Sequence, residues 1–450
     1  MRFNTLTQMR EDAKSLFTAG IHAVDAYDRT KQSVHIDSEK LIVRDIFSHE
    51  AISDLSRFQR ILLTGFGKVA ASMAQATEEL LRDRITDGVI IASKGRHPTL
   101  ARSKLIEAAH PLPDENSLRG AKRLAALVSS AGEKDLILCL ISGGGSALCT
   151  LPQDRITVED LRTLTRQLLG CGASIEEINT IRKHLSQIKG GQLARLAYPA
   201  TVISLIISDV IGDRIDSIAS GPFAPDATTF VDAYGIMEKY ALTKSIPPTV
   251  RDHIEAGLKG AAPETLKQGD PVFQNTSNLI IANNLLALRA IEHRAQQIGY
   301  STLMLTSKLR GDTREAARIF GAMTKNLCEK IKDKANICLI AGGEMTVRLT
   351  GKSRGGRNCD FGLALAPLIK GMEKTVVLSA GTDGIDGSTD AAGAIIDGTT
   401  LPRLHDLGLD HQSALINHGA YSILKKSGDL LMTGPTNTNV MDIQLVLIRR

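Results

Sequence analysis

The stretch with the clearest chemical potential is Ser142, Gly143, Gly144, Gly145 and Ser146, which closes the apolar run at residues 138–141. Glycine loses the most conformational freedom on folding, so three in a row are costly unless the backbone itself is used. Bare amide N–H groups at a strand end can nest an anion. A second loop, TGFGKVA, sets Gly65, Gly67 and Lys68 where a strand gives way to a helix. A lysine at a glycine-flanked helix start is aimed at an anion; the plainer alternative is a solvated first-turn lysine. The loop lacks the GxxxxGK[ST] of a P-loop and matches only a loose GxGxxA. A dinucleotide-dependent dehydrogenase also wants an acid at the end of the next strand, for the ribose. That position offers Ser93 and Lys94, and Asp87 lies at the wrong end of the strand.

Asp209 follows the apolar run TVISLIIS, with Asp213 and Asp216 close behind. A carboxylate at that edge can accept a hydroxyl proton, hold a divalent cation, or cap a turn. In the second half, GKSRGGRNCD sets Arg354, Arg357 and Asn358 among glycines, and SAGTDGIDGSTDAAGA carries Asp383, Asp386 and Asp390. Guanidinium groups bind phosphate or carboxylate bidentately. The acids miss the spacing of an EF-hand. His110 and Asp114, in EAAHPLPDENS, read as a proline-stiffened turn with an N-cap before the helix at Ser117. TGPTNTNVMD adds one more polar loop near the end. Cations, amide donors and a carboxylate beside a hydroxyl suit phosphoryl transfer, which is mostly positioning and charge neutralisation. A closing cleft between two domains would keep water from taking the phosphoryl group.

Such loops need a scaffold, and the pattern supplies one. RILLTGF, GVIIAS, DLILCLIS and TVISLIIS read as strands alternating with helical segments. The alternation predicts an α/β fold with a mostly parallel sheet and helices on both faces. A Pro/Gly-rich stretch at residues 260–271 precedes a restart of the pattern. The expected domains are therefore 1–275 and 276–450, the second smaller, with the active site in the interdomain cleft. The 450 residues are 43% hydrophobic and 23% charged, with a net charge of +5. That balance suits two globular domains and speaks against a nucleic-acid partner. No apolar stretch is long enough to span a membrane. The six cysteines form no CxxC pair. They read as reduced core residues of a cytoplasmic protein, as does an N-terminus without an apolar signal region.

LISGGGSAL, HPLPDENS, INTIRKHLSQIKGGQLA, ISDVIGD, IASGPFAPD, GGRN, GTDGIDGSTDAAGA and TGPTNTNV together resemble the class II glycerate 2-kinase family. The resemblance runs from about residue 10 to the end. It implies a Rossmann-like N-terminal glycerate kinase domain and a C-terminal MOFRL domain. It further implies ATP-dependent phosphorylation of D-glycerate to 2-phosphoglycerate with Mg²⁺. By that analogy Lys68, Asp209, Arg357 and Asp383 are the catalytic residues. Lys68 and Arg357 would bind phosphate or the substrate carboxylate. Asp209 or Asp383 would take the hydroxyl proton, and Asp209, Asp383 and Asp386 are the candidate metal ligands. Gly65, Gly67, Ser142, Gly143, Gly144, Gly145, Ser146, Arg354 and Asn358 would line the phosphate and substrate site. The alternatives are an NAD(P)-dependent hydroxypyruvate reductase, a kinase of a related hydroxy acid, and a non-catalytic sensor. Two positions depart from the family pattern. Cys359 and Asp360 replace Gln-Glu after GGRN, and Asn437 replaces a glycine in TGPTGTN.

Overall fold

A computed structural model describes residues 5–330, 336–347 and 354–449. The chain forms two compact units, one of Ala26–Ala282 and one of Met1–Asp25 with Asn283–Arg450.

The first unit opens with a small antiparallel sheet of β1 (Val34–Asp37), β2 (Lys40–Arg44) and β3 (Glu50–Asp54). Its main sheet holds β4 (Arg60–Phe66), β5 (Ile85–Ser93), β6 (Ser103–Ala108), β7 (Asp135–Ile141), β8 (Thr201–Ile207) and β9 (Thr276–Ala282). The order is β6-β5-β4-β7-β8-β9, and every pairing is parallel. All seven residues of β7 are buried. Such strands are covered on both faces and read as unbroken apolar runs. Counted along the chain the order is 3-2-1-4-5-6, so the direction of crossover reverses between β4 and β7. Ligands of doubly wound sheets bind at the carboxyl ends of strands beside that reversal. The helices Val158–Gly170, Ile175–His184, Phe230–Lys239 and Pro248–Leu258 carry a separate apolar core that includes Leu164, Ile181 and Met237.

The second unit is built on a mixed sheet of β10 (Tyr300–Asp312), β11 (Asn336–Thr346), β12 (Thr375–Gly381), β13 (Gly393–Asp397), β14 (Leu430–Leu431) and β15 (Asp442–Ile448). Its order is β10-β11-β15-β12-β13-β14, with only β10 and β11 parallel. The N-terminal helix Thr5–Ala23 packs on the helix Asn284–Gln297 and on β12 and β15 of this unit. A Cβ on Gly20 would stand 2.8 Å from Ile291 Cδ1, so the two helices touch closely there. Ion pairs fasten the same helix: Arg10 reaches Asp429 at 2.8 Å, and Asp12 receives Arg449 at 2.6 Å.

The division of the chain thus differs from the boundary expected near residue 275. Thr276–Ala282 is the sixth strand of the first sheet and pairs with β8. Residues 1–25, expected in the N-terminal domain, group with the C-terminal unit. In both places a long-range pairing, invisible in local pattern, decides which core a segment joins.

Candidate active site

In the first unit the ends of β4 and β7 interlock. Lys68 N donates to Gly143 O at 2.8 Å, Ser142 N to Phe66 O at 3.2 Å, and Val69 N to Ser142 Oγ at 3.2 Å. Gly67 has φ +140°, and a Cβ there would meet Ser142 Oγ at 2.1 Å. No residue with a side chain fits that crossing. Gly144 is left-handed at φ +80° and starts the short helix Gly145–Leu148. Gly143, Gly144 and Ser146 donate their amides to no acceptor among the described residues. Three unspent donors around a left-handed glycine form a nest of the kind that binds anions. A Cβ on Gly144 would touch His110 Cδ2 at 2.9 Å and Lys68 Cγ at 3.4 Å, so both side chains flank the nest.

Gly65 lies one step back, inside β4 and paired with Ile90 and Leu140. A Cβ there would stand 3.0 Å from Leu140 O, so close packing accounts for the missing side chain. Asp114 caps Glu115–Ser129 in a capping box with Ser117, as its turn sequence predicts. Asp209 stands just past β8, the strand beside β7, and is half-buried.

Several groups around the nest carried no sequence expectation. Ser146 Oγ lies 2.8 Å from Ser220 Oγ, and Ser220 Oγ donates to Asn179 Oδ1 at 3.3 Å. The same amide oxygen accepts Arg182 Nη1 at 3.0 Å. Ala219 and Ser220 hold left-handed φ values of 50° and 63°. Such strain persists only where surrounding structure enforces it. The signal available was the polar helix INTIRKH, whose Asn179 and Arg182 sit one turn apart and share a face.

In the second unit the loops at residues 354–358, 381–391 and 433–441 pack on one another. Asp386 is fully buried and accepts the amides of Asn358 at 3.0 Å and Cys359 at 2.8 Å. It therefore caps the N-terminus of Arg357–Leu365, where a carboxylate also meets the positive end of the helix dipole. Burial pushes its carboxyl up to about 6, against the opposing pull of those amides. A Cβ on Gly356 would lie 2.2 Å from Asp386 Cγ, so the second glycine of GGRN admits this cap. Asn358 is buried too, receiving Ser379 Oγ at 2.6 Å. Arg354 is exposed, and Asp383, half-buried, accepts Ile385 N at 3.1 Å.

Arg357 faces carboxylates. Nη1 meets Glu344 at 2.8 Å and Nη2 meets Asp442 Oδ1 at 3.0 Å. Burial alone would lower its pKa, but the Asp442 and Glu344 charges more than reverse that and hold it above its ordinary value. Of the two departures, Asp360 is buried against His418 Nδ1 at 3.0 Å and Arg314 at 3.6 Å. Burial raises its carboxyl, and the hydrogen bond from His418 and the charge of Arg314 oppose the rise. Asn437 is exposed with φ 57°, a conformation asparagine adopts more readily than most residues. Its backbone therefore does what the expected glycine would do. Among the described residues no cluster of three His, Cys, Asp or Glu side chains could by itself hold a metal ion. All six cysteines are free thiols. Burial pushes Cys139 and Cys149 up to about 12, which fits core residues. Among the described residues no helix is long and apolar enough to cross a membrane.

Comparison with known proteins adds the following. Residues 12–255 match a family model described as a domain of unknown function, DUF4147, and residues 337–442 match the MOFRL family. A protein of Pyrococcus horikoshii named glycerate 2-kinase is 40% identical over 98% of this chain and 97% of its own length. A relative from Agrobacterium vitis, provisionally named a hydroxypyruvate reductase, is 39% identical over 86% of this chain and 87% of its own. The crystal structure of a Thermotoga maritima glycerate kinase superposes with a TM-score of 0.83 at 36% identity, covering 98% of this chain and 100% of that one. With its fold, its paired domains and its full-length relatives in agreement, the chain belongs to the class II glycerate 2-kinase family.

Proposed function

We propose that this protein transfers the terminal phosphoryl group of ATP to the 2-hydroxyl of D-glycerate, giving 2-phosphoglycerate and ADP. The observation that carries the reading is the amide nest beside Lys68 at the reversal of strand order. Phosphoryl transfer asks for donors and positive charge around phosphate oxygens rather than for covalent chemistry. Gly143, Gly144 and Ser146 supply amide donors, and Lys68 supplies charge. Asp209, past the neighbouring strand, takes the proton of the attacking hydroxyl or holds Mg²⁺. Asp383 is the corresponding carboxylate of the second unit, and Asp386, the third candidate metal ligand, also caps the helix Arg357–Leu365. Mg²⁺, held by Asp209 or Asp383 together with phosphate oxygens, would neutralise phosphate charge. The test is ADP release that depends on both D-glycerate and Mg²⁺, with the product's phosphate located by NMR. Turnover without D-glycerate dependence would overturn it.

The reductase reading draws on the GxG turn at a dinucleotide-type reversal point and on the name of the Agrobacterium relative. β5 ends at Ser93 and Lys94 follows, where the dinucleotide fingerprint wants an acid. Oxidation of NADH or NADPH by hydroxypyruvate, with no ATP present, would favour it over the kinase.

A further inference from the structure

A pocket beside Ser146 is lined by two cations that have no carboxylate partner among the described residues. Lys189 is only 3% exposed, and its Nζ donates to the Cys149 carbonyl at 2.6 Å. An ammonium has three donors, and the other two meet no acceptor among the described residues. Arg182 gives one N–H to Asn179 and likewise has no carboxylate partner among the described residues. Lys183, next along the helix, shows the usual solution: its ammonium lies 3.2 Å from Asp226 and 3.8 Å from Asp216. Removing a charge from water without a partner is expensive. Burial accordingly pushes Lys189 down to about 8 and Arg182 down to about 10.

Both side chains line the pocket with Ser146, Thr150 and Ser186, between apolar walls that include Leu151, Leu164, Ile178 and Leu185. The free space is about 40 Å³, on the order of three waters. That suits a group the size of a carboxylate head. A planar carboxylate can take two N–H groups from a guanidinium and a third from an ammonium. Asn179 Oδ1 fixes Arg182 and Ser220 together, and Ser220 in turn holds Ser146 of the glycine loop. The anion pocket and the nest are therefore linked through shared hydrogen bonds.

We propose that Arg182 and Lys189 bind the carboxylate of the acceptor acid, placing its hydroxyl at the nest. This rests on D-glycerate being the acceptor. The test compares wild type with Lys189→Met and Arg182→Lys. Loss of a charge-assisted contact raises KM for D-glycerate by at least about tenfold, while KM for ATP stays within about threefold. Thermal shifts without nucleotide report the site apart from turnover: D-glycerate stabilises the wild type and neither variant. Lys189→Met, relieved of a buried charge, melts no lower than wild type without ligand. An unchanged KM for D-glycerate in both folded variants overturns the assignment. So does a rise in KM for ATP alone, or a shift produced by inorganic phosphate and not by D-glycerate. A wild type that fails to phosphorylate D-glycerate, yet shows a D-glycerate shift that the variants lose, defeats the kinase reading and leaves this pocket standing.

Discussion

Arg357 grips the carboxylate of Asp442 with two N–H groups, Nε on Oδ2 and Nη2 on Oδ1 at 3.0 Å. Asp442 begins β15, pairs with Gly343 and Gly381 on either side, and is fully buried. The arginine of GGRN therefore has a structural task whatever else it touches. Arg357→Ala is expected to lower kcat/KM by at least about two orders of magnitude. It also strands a buried carboxylate, at a cost of about 3 kcal/mol. Adding Asp442→Ala should recover most of that stability and none of the activity. Urea melts and steady-state kinetics on the two singles and the double make the check; activity restored along with stability would make Arg357 purely structural.

Lys68 divides differently between backbone and side chain. Its amide holds the Gly143 carbonyl, a bond that any residue keeps. Lys68→Ala should lower kcat/KM by at least about two orders of magnitude in a protein that still folds. Near-normal kinetics would remove Lys68 from the catalytic residues.

Gly67 tests the crossing itself. A methyl group there meets Ser142 Oγ at 2.1 Å and the Ser142 carbonyl oxygen at 2.5 Å. Gly67→Ala should abolish nucleotide binding in a protein that keeps its far-UV circular dichroism. Combining it with Ser142→Gly should not rescue binding, because the carbonyl remains in the way. Recovery in the double variant would show that the hydroxyl alone sets the constraint.

Asp386 gives a pH signature. Its carboxyl is held at about 6 in the folded protein, above the ordinary 3.8. Between those values the folded chain keeps a proton that the unfolded chain has released, so stability falls as pH rises. This contribution is full below about 4 and lost on passing through about 6. Asp386→Asn cannot titrate. The stability gap between wild type and variant should therefore change between pH 4 and pH 7, with the wild type losing more. Parallel urea titrations across that range would decide it, and a constant gap would remove Asp386 as the source.

Much of this site is legible in the chain itself. Four strands of the first sheet are continuous apolar runs, and their ends carry the unusual residues: Gly67, Lys68, Ser142, Ser146 and Asp209. Those features are local, set by backbone conformation and by what a strand end exposes. The capping of Glu115–Ser129 by Asp114 was equally open to reading, because a cap is written within four residues.

Other assignments depend on partners far away in sequence. Asp386 resembles a ligand in GTDGIDG until the amides of Asn358 and Cys359 are seen to occupy it. Asn358 likewise bonds Asp386 and Ser379, and Gly65 is crowded by Leu140, contacts that the local pattern does not show. Arg182 and Lys189 pass for surface charges on a polar helix and its following loop until the cavity around them appears. The N-terminal helix reads as the start of the first domain but is tied by Arg10 and Asp12 to the second unit. Sequence fixes what a residue offers: its charge, its donors, its freedom at φ. Only the folded chain decides whether another part of the protein has already taken that offer, since burial and pairing are properties of neighbours brought together from hundreds of residues apart.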